Sequence, residues 1–111
     1  MASVIAFETY AGKDRTHRIT LNAGGAALDL TGGSVTIIVK RRRSDITPLF
    51  TMTSPVDIDF ITPADGIIDV RFRDTLTDGL AGLYVHEIVA VTAAGEELKC
   101  SEGPMNILPS F

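Results

Sequence analysis

Two histidines, His17 and His86, are the side chains in this sequence best suited to proton transfer or metal ligation near neutral pH. His86 falls two residues after Tyr84 and, in a strand, shares its face with Tyr84 and Ile88. His17 is in phase with Ile19 and Leu21. If both faces are core, the two rings become neighbours between stacked sheets. A metal site needs several donors in fixed geometry, and no His/Cys/Asp cluster at ligand spacing occurs. The reading is two sheet histidines, with no metal and no cofactor.

Asp57, Asp59, Asp65 and Asp69 form the densest acidic set. A calcium loop would space its oxygens as D-x-D-x-D-G, which is not found, and paired carboxylates for glycoside hydrolysis would need a cleft lined by aromatics. Because Asp57 and Asp59 alternate with Val56, Ile58 and Phe60, they read as the solvated face of a strand. Cys100, the single cysteine, has no histidine or basic neighbour in sequence and reads as a quiet thiol. No phosphate-binding glycine loop, G-x-S-x-G, C-x-x-C or dinucleotide fingerprint is present. No catalytic residues are assigned, and the protein is not expected to be an enzyme.

The strongest charge signal is Lys40-Arg41-Arg42-Arg43, which holds four of the chain's ten basic residues. Such a run can bind phosphates, but no aromatic interleaves it, and the net charge of −4 argues against nucleic acid. It fits the charged tip of an edge strand, or a tip that meets an acidic patch on a neighbouring subunit.

The elements that carry these residues are short strands between glycine and proline turns. Candidates run from Ser3 to Tyr10, Arg15 to Asn22, Ala26 to Leu30, Ser34 to Arg41, Thr47 to Thr53, Val56 to Ile61 and Ile67 to Arg73. Pro48 pushes the start of the Thr47–Thr53 candidate to an edge or a bulge. Asp74 to Leu80 is the one helical turn. Leu83 to Thr92 is the central strand, followed by Ala93-Ala94-Gly95 as a hairpin turn and Glu96 to Ser101 as its partner. Gly103-Pro104 interrupts, and Met105 to Leu108 closes the domain. The central strand is apolar on both faces, with Tyr84, Ile88 and Ala90 on one and Leu83, Val85, Val89 and Val91 on the other. A second apolar face needs a cover, either a loop or terminus, with Leu108 and Phe111 as candidates in cis or in trans, or another protein.

At 111 residues the chain makes one domain, residues 1–111 with short terminal arms, and its composition of 45% hydrophobic and 22% charged residues is that of a folded protein rather than a disordered one. One cysteine allows no internal disulfide, no secretory signal precedes Val4, and no segment reaches membrane-spanning length. These features read as a cytoplasmic product with no membrane partner.

Leu30-Thr31-Gly32 leading into SVTIIVKR, Gly66-Ile67-Ile68-Asp69-Val70, and the block from Leu76 to Glu87 carry a family likeness. Over roughly residues 15 to 108 the chain resembles the immunoglobulin-like domain of phage tail and baseplate proteins. The resemblance implies an all-β immunoglobulin-like sandwich of about seven to eight antiparallel strands. Tyr84, just after a glycine-rich corner, then matches the tyrosine corner of such sandwiches. It also implies a structural virion component, made in a host bacterial cytoplasm. Such a component acts by packing against its neighbours, as a homo-oligomer among other virion proteins; the basic run and the second apolar face make Lys40, Arg41, Arg42, Arg43, Val89, Val91, Leu108 and Phe111 the candidate interface residues. The alternatives are a capsid decoration protein and a carbohydrate or host-surface binding module.

Overall fold

Alternating apolar residues build most of this protein, because a strand packed on one side buries every second side chain. In the computed structural model, which describes residues 3–4, 6–23 and 26–109, the chain is mostly strand, 56%, with 7% helix. The strands are β1 (Ser3–Val4), β2 (Phe7–Tyr10), β3 (Arg15–Thr20), β4 (Asn22–Ala23), β5 (Ala26–Ala27) and β6 (Ser34–Lys40). They continue as β7 (Phe50–Thr53), β8 (Ile58–Thr62), β9 (Ile67–Phe72), β10 (Gly82–Val91) and β11 (Glu97–Leu108), with one short helix, α1 (Asp74–Thr77), before β10.

The larger sheet, which curls into a half-barrel, has β11 beside β10, then β6 and β7, with β1 and β2 both along the outer side of β11. The smaller sheet is β3, β9, β8, and β4 and β5 form a separate two-stranded ribbon. One core joins them, with Val35, Ile37 and Val39 of β6 and Ile88 and Ala90 of β10 meeting Ile68, Val70 and Phe72 of β9. Phe7 of β2 and Phe72 of β9 touch across the layers, ring centroids 5.4 Å apart at 70°.

The strand count exceeds the seven to eight expected, and the pairing is not wholly antiparallel. The single N-terminal strand expected from Ser3 to Tyr10 divides into β1 and β2, and both run parallel to β11. Only Ala26–Ala27 of the Ala26–Leu30 candidate is strand, yet Leu28 and Leu30 are buried all the same. The turn expected at Gly24-Gly25 lies outside the described residues.

β11 does not stop at Gly103-Pro104 but runs on to Leu108, so Met105 and Ile107 belong to the core rather than to a closing arm. Its phase changes on the way. Ile88 pairs with Ser101 and Val89 with Lys99, leaving Cys100 as the extra residue of a bulge. Consecutive Cys100 and Ser101 are therefore both buried, and the inward set moves from even to odd positions.

The turn between β8 and β9 is a short 3-10 segment, Pro63–Asp65, closed by Gly66 at φ 69°. Leu21 donates its backbone N–H to the Gly66 carbonyl at 2.8 Å, so this turn ties β9 to the segment after β3. A side chain at Gly66 would meet the Leu21 carbonyl oxygen at 2.5 Å. Glycine is required there on two independent grounds.

Candidate functional site

Pairing register decides what the outer face of the large sheet displays. Lys40 of β6 lies opposite Val85 of β10, and Val85 lies opposite Pro104 of β11. One step along, Ile38, Glu87 and Glu102 form the next row. With Leu83 and the residues just after β6, these rows enclose a groove of about 460 Å³. Its floor is apolar, from Ile38, Leu83, Val85 and Pro104, and its rim carries Lys40, Arg41 and Arg43. Leu83 is 72% exposed, which is unusual for a large aliphatic residue within a strand.

The rim charges are not equivalent. Arg43 pairs with Glu102, and Lys99 holds the same carboxylate at 2.8 Å. The Lys99 hydrogen bond, helped by the Arg43 charge, keeps Glu102 below the usual carboxylate range. Lys99 also lies 3.9 Å from Glu87. The acidic members of the groove are thus neutralised from within. Among the described residues, Lys40, Arg41 and Arg42 enter no ion pair. The Arg41 guanidinium sits 5.8 Å from the centre of the Tyr84 ring, which biases it toward the groove.

The other interface residues expected from sequence are dispersed. Val89 and Val91 are half-buried on the same outer face, but toward the far end of β10, opposite Thr36 and Ser34. Leu108 pairs with Tyr10, and its carbonyl accepts a hydrogen bond from Ala11 at 2.9 Å. It therefore cannot cover Val89 and Val91, which sit alongside the opposite end of β11. Phe111 lies outside the described residues. Sequence reading missed Ile38, Glu102 and Pro104, which become site residues only through cross-strand register.

The two histidines do not pack on each other but share Phe7 as a neighbour. Phe7 stands between them, 4.7 Å from His86 and 5.8 Å from His17, both edge-on, and His17 also packs on Phe72 at 5.4 Å. Burial lowers the pKa of each imidazole; the charge of Arg15 adds to this at His17, while the backbone at Gly103 and Pro104 and the Glu102 charge partly offset it at His86. Both ring nitrogens of His86 are buried and neither makes a hydrogen bond of good geometry, although the Gly103 and Pro104 backbone lies near enough to favour the charged ring slightly. The pair is a neutral packing element. The described residues contain no group of three His, Cys, Asp or Glu positioned to hold an ion.

The acidic set divides. Asp59 and Asp69 face each other on β8 and β9 and are solvated as expected, each beside an arginine: Arg71 at 3.4 Å and Arg18 at 2.8 Å. The Arg18 hydrogen bond holds Asp69 below the usual carboxylate range. Asp57 is a correction. It precedes β8, is 4% exposed, and lies 2.6 Å from Arg73 Nε, off the direction of a good hydrogen bond, so that the contact is an ion pair. Its neighbour Val56 is 59% exposed instead. Alternation failed here because the backbone turns through residues 53–57, where Asp57 N–H donates to the Thr53 carbonyl at 2.9 Å. Burial raises the pKa of the Cys100 thiol, which keeps it protonated and unreactive.

The chain matches no known family model, and no curated protein matches it. No helix among the described residues is long and apolar enough to cross a membrane.

Proposed function

We propose that this protein is a structural component of a phage tail or baseplate, an immunoglobulin-like sandwich that works by packing against other virion proteins in a symmetric assembly. The observation that carries the reading is the open groove on the outer face of the large sheet, with its apolar floor, the exposed Leu83 and the unpaired Lys40 and Arg41 at its rim. A sheet face of this kind is an association surface. It offers no nucleophile, no unpaired acid and no metal-binding set to a substrate, so the reading includes no catalysis and no cofactor.

The immunoglobulin-like part of the proposal draws support from strand order. β2, β11, β10, β6 and β7 lie against β3, β9 and β8, the first strands run parallel to the last, and α1 links the two sheets ahead of β10. Tyr84 stands near the start of β10 and is 7% exposed; its hydroxyl points back to the Ala81 carbonyl, 3.5 Å away.

The test is co-sedimentation with intact phage particles on a density gradient, with the copy number per particle. A ring's worth of copies is the expected result. A shell's worth replaces the tail by a capsid surface, and absence from particles overturns the virion reading in favour of a carbohydrate or host-surface binding module.

A further inference from the structure

Charge is segregated along β10 and its neighbours. The groove end carries Lys40 to Arg43, whereas the opposite end consists of the β10–β11 hairpin, with exposed Glu96 and Glu97, and the nearby Thr31-Gly32 turn with exposed Asp29. Residues 26–34 and 91–97 contain no lysine or arginine. The two turns are adjacent, since a side chain at Gly32 would meet Ala93 Cβ at 3.1 Å. Val85 marks the groove end, opposite Lys40, and Val91 marks the acidic end, opposite Ser34 and Glu97. Six residues of extended strand separate them, about 20 Å. That exceeds the screening length of roughly 8 Å at physiological salt, so the two ends cannot neutralise each other within one molecule.

We propose that the groove accepts the acidic β10–β11 hairpin of a second copy of this chain, stacking copies head to tail along the strands of the large sheet. The inference deepens the assembly reading above by naming the partner and the mode of contact. The hairpin suits the groove in three respects. Its tip, Ala93-Ala94-Gly95, is small and exposed. It is already ordered, with Gly95 N–H donating to the Thr92 carbonyl at 2.8 Å and Glu96 N–H to Thr92 Oγ1 at 3.2 Å, so little conformational entropy is lost on docking. Its two carboxylates would meet Lys40 and Arg41 on the groove rim and Arg42 next to them in the chain, three cations that enter no ion pair among the described residues. Because donor and acceptor surfaces lie at opposite ends of the molecule, the contact is heterologous and propagates into a ring or a filament.

The test is sedimentation velocity of the full chain over a range of concentration and salt, for the natural protein, R41E/R42E and E96K/E97K, each checked by circular dichroism. The natural protein is expected to self-associate, less so as salt rises, and each charge reversal to weaken association at least about tenfold. Mixing the two variants restores it, since every groove in the mixture then finds a hairpin of opposite sign. Association unchanged by both reversals, no rescue on mixing, or a natural protein that stays monomeric overturns the inference. The assembly reading fails separately: a protein present in virions but indifferent to these reversals keeps that reading and loses this one, while head-to-tail stacking by a protein absent from virions does the opposite.

Discussion

Replacing His86 by leucine is expected to make the fold less sensitive to mild acid without weakening it at neutral pH. The ring is 1% exposed, packs against Phe7 at 4.7 Å, and leaves both nitrogens buried without a hydrogen bond of good geometry. An orphaned buried polar group costs about 1–3 kcal/mol, and a similar-sized apolar side chain removes that cost while filling the same space. Acid adds a second term. Burial lowers the imidazole pKa in the folded protein, so below the ordinary value near 6.5 the unfolded chain binds a proton that the folded chain refuses. Stability is therefore fully present above about pH 6.5 and falls with pH below it, until the folded-state pKa is passed; each such histidine contributes at most about 1.4 kcal/mol per pH unit. His17 shifts in the same direction and adds to the slope. The carboxylates with lowered pKa values, Asp29, Asp69 and Glu102, lose their contribution only at lower pH, so the interval from about pH 6.5 to 5 isolates the histidines. Urea unfolding followed by circular dichroism at half-unit pH steps measures the slope. His86→Leu should remove about half of it, with His17 supplying the remainder. An unchanged slope, or a loss of more than about 2 kcal/mol at pH 7.5, refutes the account of His86 as a neutral core residue without a good hydrogen bond.

Gly66→Ala should cost about 2 kcal/mol or more, because it adds left-handed strain to a clash with the Leu21 carbonyl; thermal unfolding reads this as a lowered Tm. Arg73→Ala leaves the Asp57 carboxylate buried without its cation and should cost about 2 kcal/mol, with Asp57→Asn recovering part of the loss in a double-mutant cycle. Tyr84→Phe should cost no more than about 0.5 kcal/mol, since the hydroxyl reaches Ala81 only at the 3.5 Å limit, whereas Tyr84→Ala empties core volume and should cost about 3 kcal/mol or more by denaturant unfolding.

Much of the fold was legible wherever period-two patterning ran unbroken. β6, β9 and β10 fall within a residue or two of the alternating runs 34–41, 67–73 and 83–92, and their buried residues are those in phase. Patterning failed at three kinds of place. Asp57 sits in a turn, where side chains no longer alternate about a sheet. Cys100 sits in a bulge, which inserts one residue and reverses the phase of everything after it. Gly103-Pro104 reads as a break, yet β11 passes through it: the β10 ladder continues across both residues, and only the outer ladder is interrupted there, its β1 pairs ending at Glu102 and its β2 pairs starting at Met105. The candidate site was half visible. The basic run 40–43 stands out by composition alone, but Ile38, Leu83, Pro104 and Glu102 have no mark in sequence that links them to it.

By itself, the sequence determined the all-β character, the inward faces of the long strands and the concentration of positive charge after Lys40. These depend on local properties, strand propensity and side-chain period, that every residue carries wherever the chain goes. Tertiary structure alone decided that the first strands run parallel to the last, that Asp57 is buried beside Arg73, and that Lys40, Val85 and Pro104 line one groove. Register between strands distant in the chain depends on how the whole core closes, and a shift of one residue would have turned Leu83 and Val85 inward and Tyr84 and His86 out.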